Sequence, residues 1–429
     1  MQEQVRIGLL GCGNVGGALV RLVHEHADVI EARAGVPLAV TRVAVRDATK
    51  DRGLPLPARC FTDDAAAVVG DPDVDVVVEV IGGVEPARTL IVEALMAGKP
   101  VVTANKELLA VHGRELFETA EGAGVDLLFE ASVGGGIPLM RPLRESLAGD
   151  RIRRVIGIVN GTTNYILSNM TDHGASFDDA LAEAQALGFA EADPTADVEG
   201  YDAAAKAAII ASIAFGARVV AADVYREGIT AITSDDIAAA RDLGYVVKLL
   251  AIAEEVDGEV AVRVHPTMVP VRHPLASVRD AFNAVFIEGD AVGELMFYGR
   301  GAGGLPTASA VLGDLVDAAK NLVEGRKGAT IGTLAAKPIR AIDDVVSSFY
   351  LHTEVADRPG VLAAIAPKFA EHGVSIRSMQ QHGIGDDARL IFVTHEAREA
   401  DVRATVLALR DVDAVHRVGS VLRVIGEEE

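Results

Sequence analysis

Between residues 189 and 207 the chain reads FAEADPTADVEGYDAAAKA. Five carboxylates (Glu191, Asp193, Asp197, Glu199 and Asp202) precede a single cation, Lys206. Asp202 and Lys206 stand four residues apart, so on a helix they share one face. On a wet surface such a pair contributes only about 0.3–0.5 kcal/mol. The residues after it, AAIIASIAFG, are almost all apolar, which points to a helix buried on most sides. A buried lysine needs a carboxylate partner or a shifted pKa, and both are marks of an amine that handles protons. A second lysine, Lys106 in VVTANKELLA, follows directly on a short apolar strand. Open α/β sheets hold ligands at that end of their strands. A plain surface lysine at a helix start is the alternative for Lys106.

The segment IGLLGCGNVGGALVRLV sets Gly11, Gly13 and Gly16 in the spacing GxGxxG, between a strand and a helix. The tight turn, the close approach of a pyrophosphate and the helix–strand contact each favour a residue without Cβ. The helix start, at Asn14 and Val15, adds free N–H groups and the positive end of a dipole. A dinucleotide is the ligand that fits. The second strand ends in VAVRDATK. There Arg46 and Lys50 suit a 2′-phosphate, whereas Asp47 suits a ribose hydroxyl. The tip favours NADP(H) and leaves NAD(H) open.

These groups need a scaffold, and 429 residues are enough for two or three domains. Half of the residues are apolar and Trp is absent, so the cores must be built from Ala, Val, Leu and Ile. A net charge of −22 argues against nucleic acid or an anionic membrane as partner. Two cysteines make neither a disulfide framework nor a zinc site, which suits a reducing cytoplasm. The first residues do not read as a signal peptide, and the most apolar stretch, 207–222, is short for a bilayer span and contains Arg218.

Residues 1–137 alternate Val-rich strands (5–11, 38–46, 74–82, 100–105 and 125–133) with helices, the pattern of a Rossmann-type doubly wound parallel sheet. An α+β unit is expected over 138–299, with 300–322 returning to the first domain and a linker over 323–347. The remainder, 348–429, reads strand, helix, strand, strand, helix, strand, the order of a ferredoxin-like module.

Taken in order, GLLGCGNVG, TANKELLA, FEASVGGGIP, GIVNGTTNYIL, GFAEADPTADVEGYDAAAKAAI and GAGGLPTASAVLGDLV resemble homoserine dehydrogenase with a C-terminal ACT domain. The resemblance covers essentially the whole chain. It implies an NAD(P)-dependent interconversion of L-homoserine and L-aspartate 4-semialdehyde, on the way to threonine and methionine. It implies Lys206 as general acid/base and Lys106 beside both nicotinamide and substrate. Glu191, Gly161, Thr162, Asp197 and Asp202 would bind or position the substrate, and Gly303 would return to the cofactor. The loop EASVGGGI resembles the family's sodium site, with the Glu130 side chain and the carbonyls of Val133, Gly135 and Ile137 as ligands. A glycine-rich turn without an ion is the alternative there. The ACT unit suggests threonine as feedback effector, and the family suggests a homo-oligomer, dimer or tetramer.

The residues agree with this on chemical grounds. An amino acid substrate carries an ammonium that buried carboxylates can meet. Reduction of an aldehyde builds negative charge on oxygen, which a lysine can neutralise and protonate. Asp193 and Glu199 could simply cap a helix or face water. A related aldehyde dehydrogenase would need a nucleophilic cysteine beyond the sheet, and Cys12 and Cys60 are badly placed. A sensor binding nucleotide and amino acid without catalysis has no evident need for both lysines.

Overall fold

The computed structural model describes residues 3–329, 331–383 and 388–425. The N-terminal unit is a parallel six-stranded sheet in the order β3-β2-β1-β4-β5-β6. Its strands are β1 (Val5–Leu10), β2 (Leu38–Ala44), β3 (Phe61–Thr62), β4 (Val76–Glu79), β5 (Val101–Thr103) and β6 (Leu127–Leu128). Helices α1 (Asn14–Glu25), α2 (Ala27–Ala34), α3 (Ala65–Gly70), α4 (Ala87–Met96) and α5 (Lys106–Ala123) cover its faces. Both faces are buried, so strands such as VVVE in β4 are buried throughout and do not alternate. The sequence promised a strand over 125–133. Only two residues pair, because the chain coils into a short 3-10 turn at Glu130–Ser132.

The middle unit contributes β7 (Ile152–Ile158), α6 (Gly161–His173), α7 (Phe177–Ala186), α8 (Thr195–Val198), α9 (Tyr201–Phe215), β8 (Tyr225–Arg226) and α10 (Ser234–Asp242). After them come β9 (Tyr245–Val256), β10 (Glu259–Pro270), β11 (Phe282–Gly289) and β12 (Gly293–Arg300). The β9–β10 hairpin turns on Asp257-Gly258, with φ of 55° and 81°. Two left-handed residues in a row match the twist of the strands they join. Helix α11 (Gly304–Glu324) leaves the middle unit and packs Ala308, Val311, Leu315 and Ala318 into the core under α1 and β1.

The C-terminal unit is β13 (Val346–Val355), α12 (Val361–Glu371), β14 (Ile376–His382), β15 (Arg389–Thr394), β16 (Ala397–Arg398), α13 (Glu399–Arg410) and β17 (Val415–Val424). It is not a detached bead. β17 pairs in parallel with β10 at Thr267–Arg423 and Met268–Val424, which fuses the two sheets into the order β12-β11-β7-β9-β10-β17-β13-β15-β14. The segment between α11 and β13 is strapped down too, through bridges Ala217–Ala335 and Val260–Ile339 and ion pairs Lys337–Glu255 and Arg340–Glu259. Among the described residues no helix is long and apolar enough to cross a membrane.

Candidate active site

Helix α9 begins at Gly200, whose φ of 79° favours glycine, and runs apolar on all sides against α5, β9 and β10. Asp202 lies in its first turn, where the helix dipole favours an anion. Lys206 follows one turn later. Its Nζ donates to Asp202 Oδ2 at 2.7 Å and to the Val159 carbonyl, at the end of β7, at 2.7 Å. An ammonium has three donors, so one is left for a ligand.

Lys106 comes from the other unit. It opens α5 just past β5, behind Asn105, whose side chain accepts from Leu108 N–H at 3.1 Å and donates to the Gly83 carbonyl at 2.7 Å. Lys106 Nζ stands 2.9 Å from Asp202 Oδ1. One buried carboxylate is therefore shared by two ammonium groups. Burial pushes the Asp202 carboxyl up, but Lys206 and Lys106 together hold it well below the usual carboxylate range. Burial would lower the Lys106 amine, yet the Asp202 charge outweighs it and the net shift is upward.

Asn160 was not singled out from the sequence, and it joins the acids together. It caps α6 by accepting from Thr163 N–H at 2.9 Å, and its Nδ2 reaches Asp202 at 2.8 Å and Asp197 at 2.6 Å. A legible signal was present: asparagine just before Gly-Thr-Thr is an N-cap pattern. Glu79 was missed as well. It ends β4 fully buried, accepts from Ile81 and Gly82 N–H, and receives the Thr103 hydroxyl at 2.6 Å. That carboxylate ties together the two strand ends that flank the site.

Lys106, Asn160, Asp197, Asp202 and Lys206 line a cleft of about 710 Å³, together with Gly161, Thr162 and Glu191. The Thr162 hydroxyl donates to the Phe189 carbonyl at 2.6 Å and so fixes the 188–191 loop. Glu191 is exposed at the rim, and among the described residues its carboxylate has no partner. Asp193 accepts from Thr195 N–H and Glu199 from the Thr230 hydroxyl, so neither joins the lysines.

A second cleft, of about 270 Å³, lies on the N-terminal side and also contains Lys106 and Lys206. Val15, Glu79 and Gly82 line it. At its mouth Gly11 has φ of 97°, and a Cβ on Gly16 would stand 2.3 Å from the Gly11 carbonyl. A Cβ on Gly13 would meet nothing within 4 Å, which is the open approach that a pyrophosphate needs. A Cβ on Gly304 would be 2.9 Å from the Asn14 carbonyl, so the N-termini of α1 and α11 converge here. Gly303, the N-cap of α11, lines the first cleft. Arg46 and Lys50 are exposed past the end of β2, and among the described residues neither side chain has an ion-pair partner. Asp47 already accepts the Thr49 N–H and hydroxyl, at 2.9 and 2.6 Å.

The loop expected to hold sodium follows β6. The Glu130 carboxylate is already engaged, because its oxygens accept the backbone N–H groups of Leu139, Met140 and Arg141. Asp314, beside it, is pushed up to about 7 by burial and by the Glu130 charge, although Arg141 donates to it at 2.8 Å. Among the described residues the carbonyls of Val133, Gly135 and Ile137 accept no hydrogen bond.

The family model described as homoserine dehydrogenase matches residues 138–316, its NAD-binding domain matches 11–130, and the ACT domain matches 350–414. A homoserine dehydrogenase of Mycobacterium tuberculosis is 52% identical, covering 99% of this chain and 98% of the relative. A homoserine dehydrogenase structure from Thiobacillus denitrificans superposes with a TM-score of 0.93 at 44% identity, covering 98% of each chain. A hyperthermophilic archaeal homoserine dehydrogenase in complex with NADPH gives a TM-score of 0.64 at 29% identity, covering 73% of this chain and 97% of that one.

Proposed function

The chain belongs to the homoserine dehydrogenase family, and from that membership we propose how its residues carry out the interconversion of L-homoserine and L-aspartate 4-semialdehyde. The carrying observation is that two clefts, one on the side of the glycine loop and one lined with acids, meet at Lys106 and Lys206. When bound, the nicotinamide gives or takes the hydride. In the reductive direction Lys206 neutralises the charge growing on the aldehyde oxygen and delivers a proton through its third N–H. In the oxidative direction it takes that proton back. Asp202 and the Val159 carbonyl hold the amine at one position. Lys106 adds a second positive charge and spans the two clefts. Glu191 and Asp197 meet the substrate ammonium, and the start of α6 at Gly161–Thr162 offers N–H groups to its carboxylate.

NADP(H) is the proposed cofactor, with Arg46 and Lys50 on its 2′-phosphate, because Asp47 is already engaged by Thr49. A monovalent cation in the loop after β6 would use the Val133, Gly135 and Ile137 carbonyls without the Glu130 side chain. The ACT unit would sense threonine. Its Arg423, on β17, donates to Glu227 and Glu399. Glu227 adjoins Gly228, which packs on Val198 and Glu199 just before α9. A homo-oligomer joined through the middle unit, in the cytoplasm, completes the reading; Cys12 and Cys60, both free, suit that compartment.

The test is NADPH oxidation with aspartate 4-semialdehyde. Wild type should turn over, and Lys206→Ala should bind NADPH normally yet lose most of its rate. Full activity in the variant would remove Lys206 from the mechanism. Threonine should shift the rate–substrate curve, and an unmoved curve would remove the sensing role.

A further inference from the structure

The cleft that holds the acids and lysines also has in its lining a polar side chain with no role so far. Asn283, the second residue of β11, is 1% exposed, and neither Oδ1 nor Nδ2 has a hydrogen-bond partner among the described residues. Strand alternation puts it on the same face as Val285 and Ile287, both fully buried in the main core. An apolar residue there would cost nothing, whereas an unsatisfied buried amide destabilises the fold. Asn283 also lines the cleft that contains Lys206 and Asp197. Its amide presses on the chain after β12: a Cβ on Gly301 would lie 1.9 Å from Nδ2. Glycine at 301 is thus what leaves room for the amide.

We propose that Asn283 is a substrate-specificity residue that binds the amino acid's α-carboxylate through Nδ2. The inference deepens the reading of this cleft as the homoserine site and rests on it. Two parts of that reading select the carboxylate. In it Glu191 and Asp197 meet the ammonium, and the two lysines face the reacting oxygen. Asn283 belongs to the donor wall instead, since a Cβ on Gly161 would be 2.8 Å from the Ala281 carbonyl, two residues before Asn283. The chain leading into Asn283 therefore runs beside the α6 N-terminus. Its Oδ1 remains free to accept from the ammonium of the same molecule, and one donor with one acceptor complements a zwitterion.

The test compares homoserine with 3-aminopropan-1-ol, which has the same amine and alcohol without the carboxylate, as substrates of wild type, Asn283→Ala and Asn283→Asp. For homoserine, Asn283→Ala should raise KM by about tenfold to a hundredfold, with kcat within about threefold. Asn283→Asp should raise it further, because it sets two carboxylates face to face. For 3-aminopropan-1-ol, kcat/KM should be the same in wild type and Asn283→Ala. NADPH affinity and the melting temperature serve as controls, and Asn283→Ser gives the same readout if the alanine variant folds poorly. An unchanged KM for homoserine, or an equal loss for both alcohols, would overturn the assignment. A wild type that turns over no homoserine would instead overturn the parent reading, and this one with it.

Discussion

Two buried lysines lie in the middle unit, and their surroundings differ in one respect. Lys206 has a carboxylate, Asp202, at 2.7 Å and opens on a cleft. Lys248, on β9, is 3% exposed and has only neutral acceptors: the Val278 carbonyl at 2.6 Å, Asn164 Oδ1 at 2.9 Å and the Ser168 hydroxyl at 3.4 Å. Burial, reinforced by the Arg279 charge, pushes the Lys248 amine down to about 8. Neutral dipoles solvate a buried ammonium poorly; a paired carboxylate keeps it charged. The contrast teaches that burial alone does not make a lysine catalytic. It needs an anion to keep its proton and an opening through which to give it up.

The largest effect separates the two lysines by rate. Lys206→Met should lower kcat by about 10³-fold or more, whereas Lys248→Met should stay within a few-fold of wild type. Steady-state assays of both, with thermal unfolding to check the fold, decide this. Equal losses would erase the distinction.

The next effect separates them by stability. Folded Lys248 releases its proton near pH 8, while the unfolded chain holds it until about 10.5. Between those values the unfolded state binds more protons, so this group makes stability rise with pH. Below pH 8 the buried charge is a constant cost. Denaturant titrations should therefore show wild type gaining on Lys248→Met by up to about 3 kcal/mol from pH 8 to 10.5. Parallel curves would contradict the shifted amine.

A smaller loss tests the anion itself. Asp202→Asn keeps the shape and removes the charge shared by two lysines, and kcat should fall about 10²-fold. Its pH–rate profile should also move to lower pH, since the Asp202 charge is what raises the Lys106 amine. An unmoved profile would mean that the pairing is structural only. The smallest expected effect lies farthest from the lysines. Arg46→Ala should raise the NADPH KM about tenfold and leave NADH unaffected. An equal change for both cofactors would take Arg46 off the 2′-phosphate.

The lysine contrast also shows what the sequence carried. Lys206 was legible because an aspartate stands four residues earlier on a helix too apolar to be exposed. Lys248, in YVVKLLAIAEEV, gives no such pattern, because its acceptors come from residues 30 to 84 positions away. The glycine loop and the alternating N-terminal half were legible for the same local reasons. Asn160 and Glu79 were harder, since the contacts that tie them to the site, Asp197 and Asp202 for one and Thr103 for the other, lie 24 to 42 positions away. The contacts of Glu130 were illegible for a like reason: the backbone N–H groups of 139–141 fold back onto its carboxylate. The parallel pairing of β17 with β10 left no mark that periodicity could show, because pairing partners are chosen in three dimensions.

The most direct measurement of the central claim is a structure of the protein with homoserine and NADP+ bound. The hydroxyl oxygen should lie about 3 Å from Lys206 Nζ, with that amine still bonded to Asp202 and the Val159 carbonyl. A hydroxyl turned away from Lys206, or an amine that has left Asp202 for bulk water, would contradict the account.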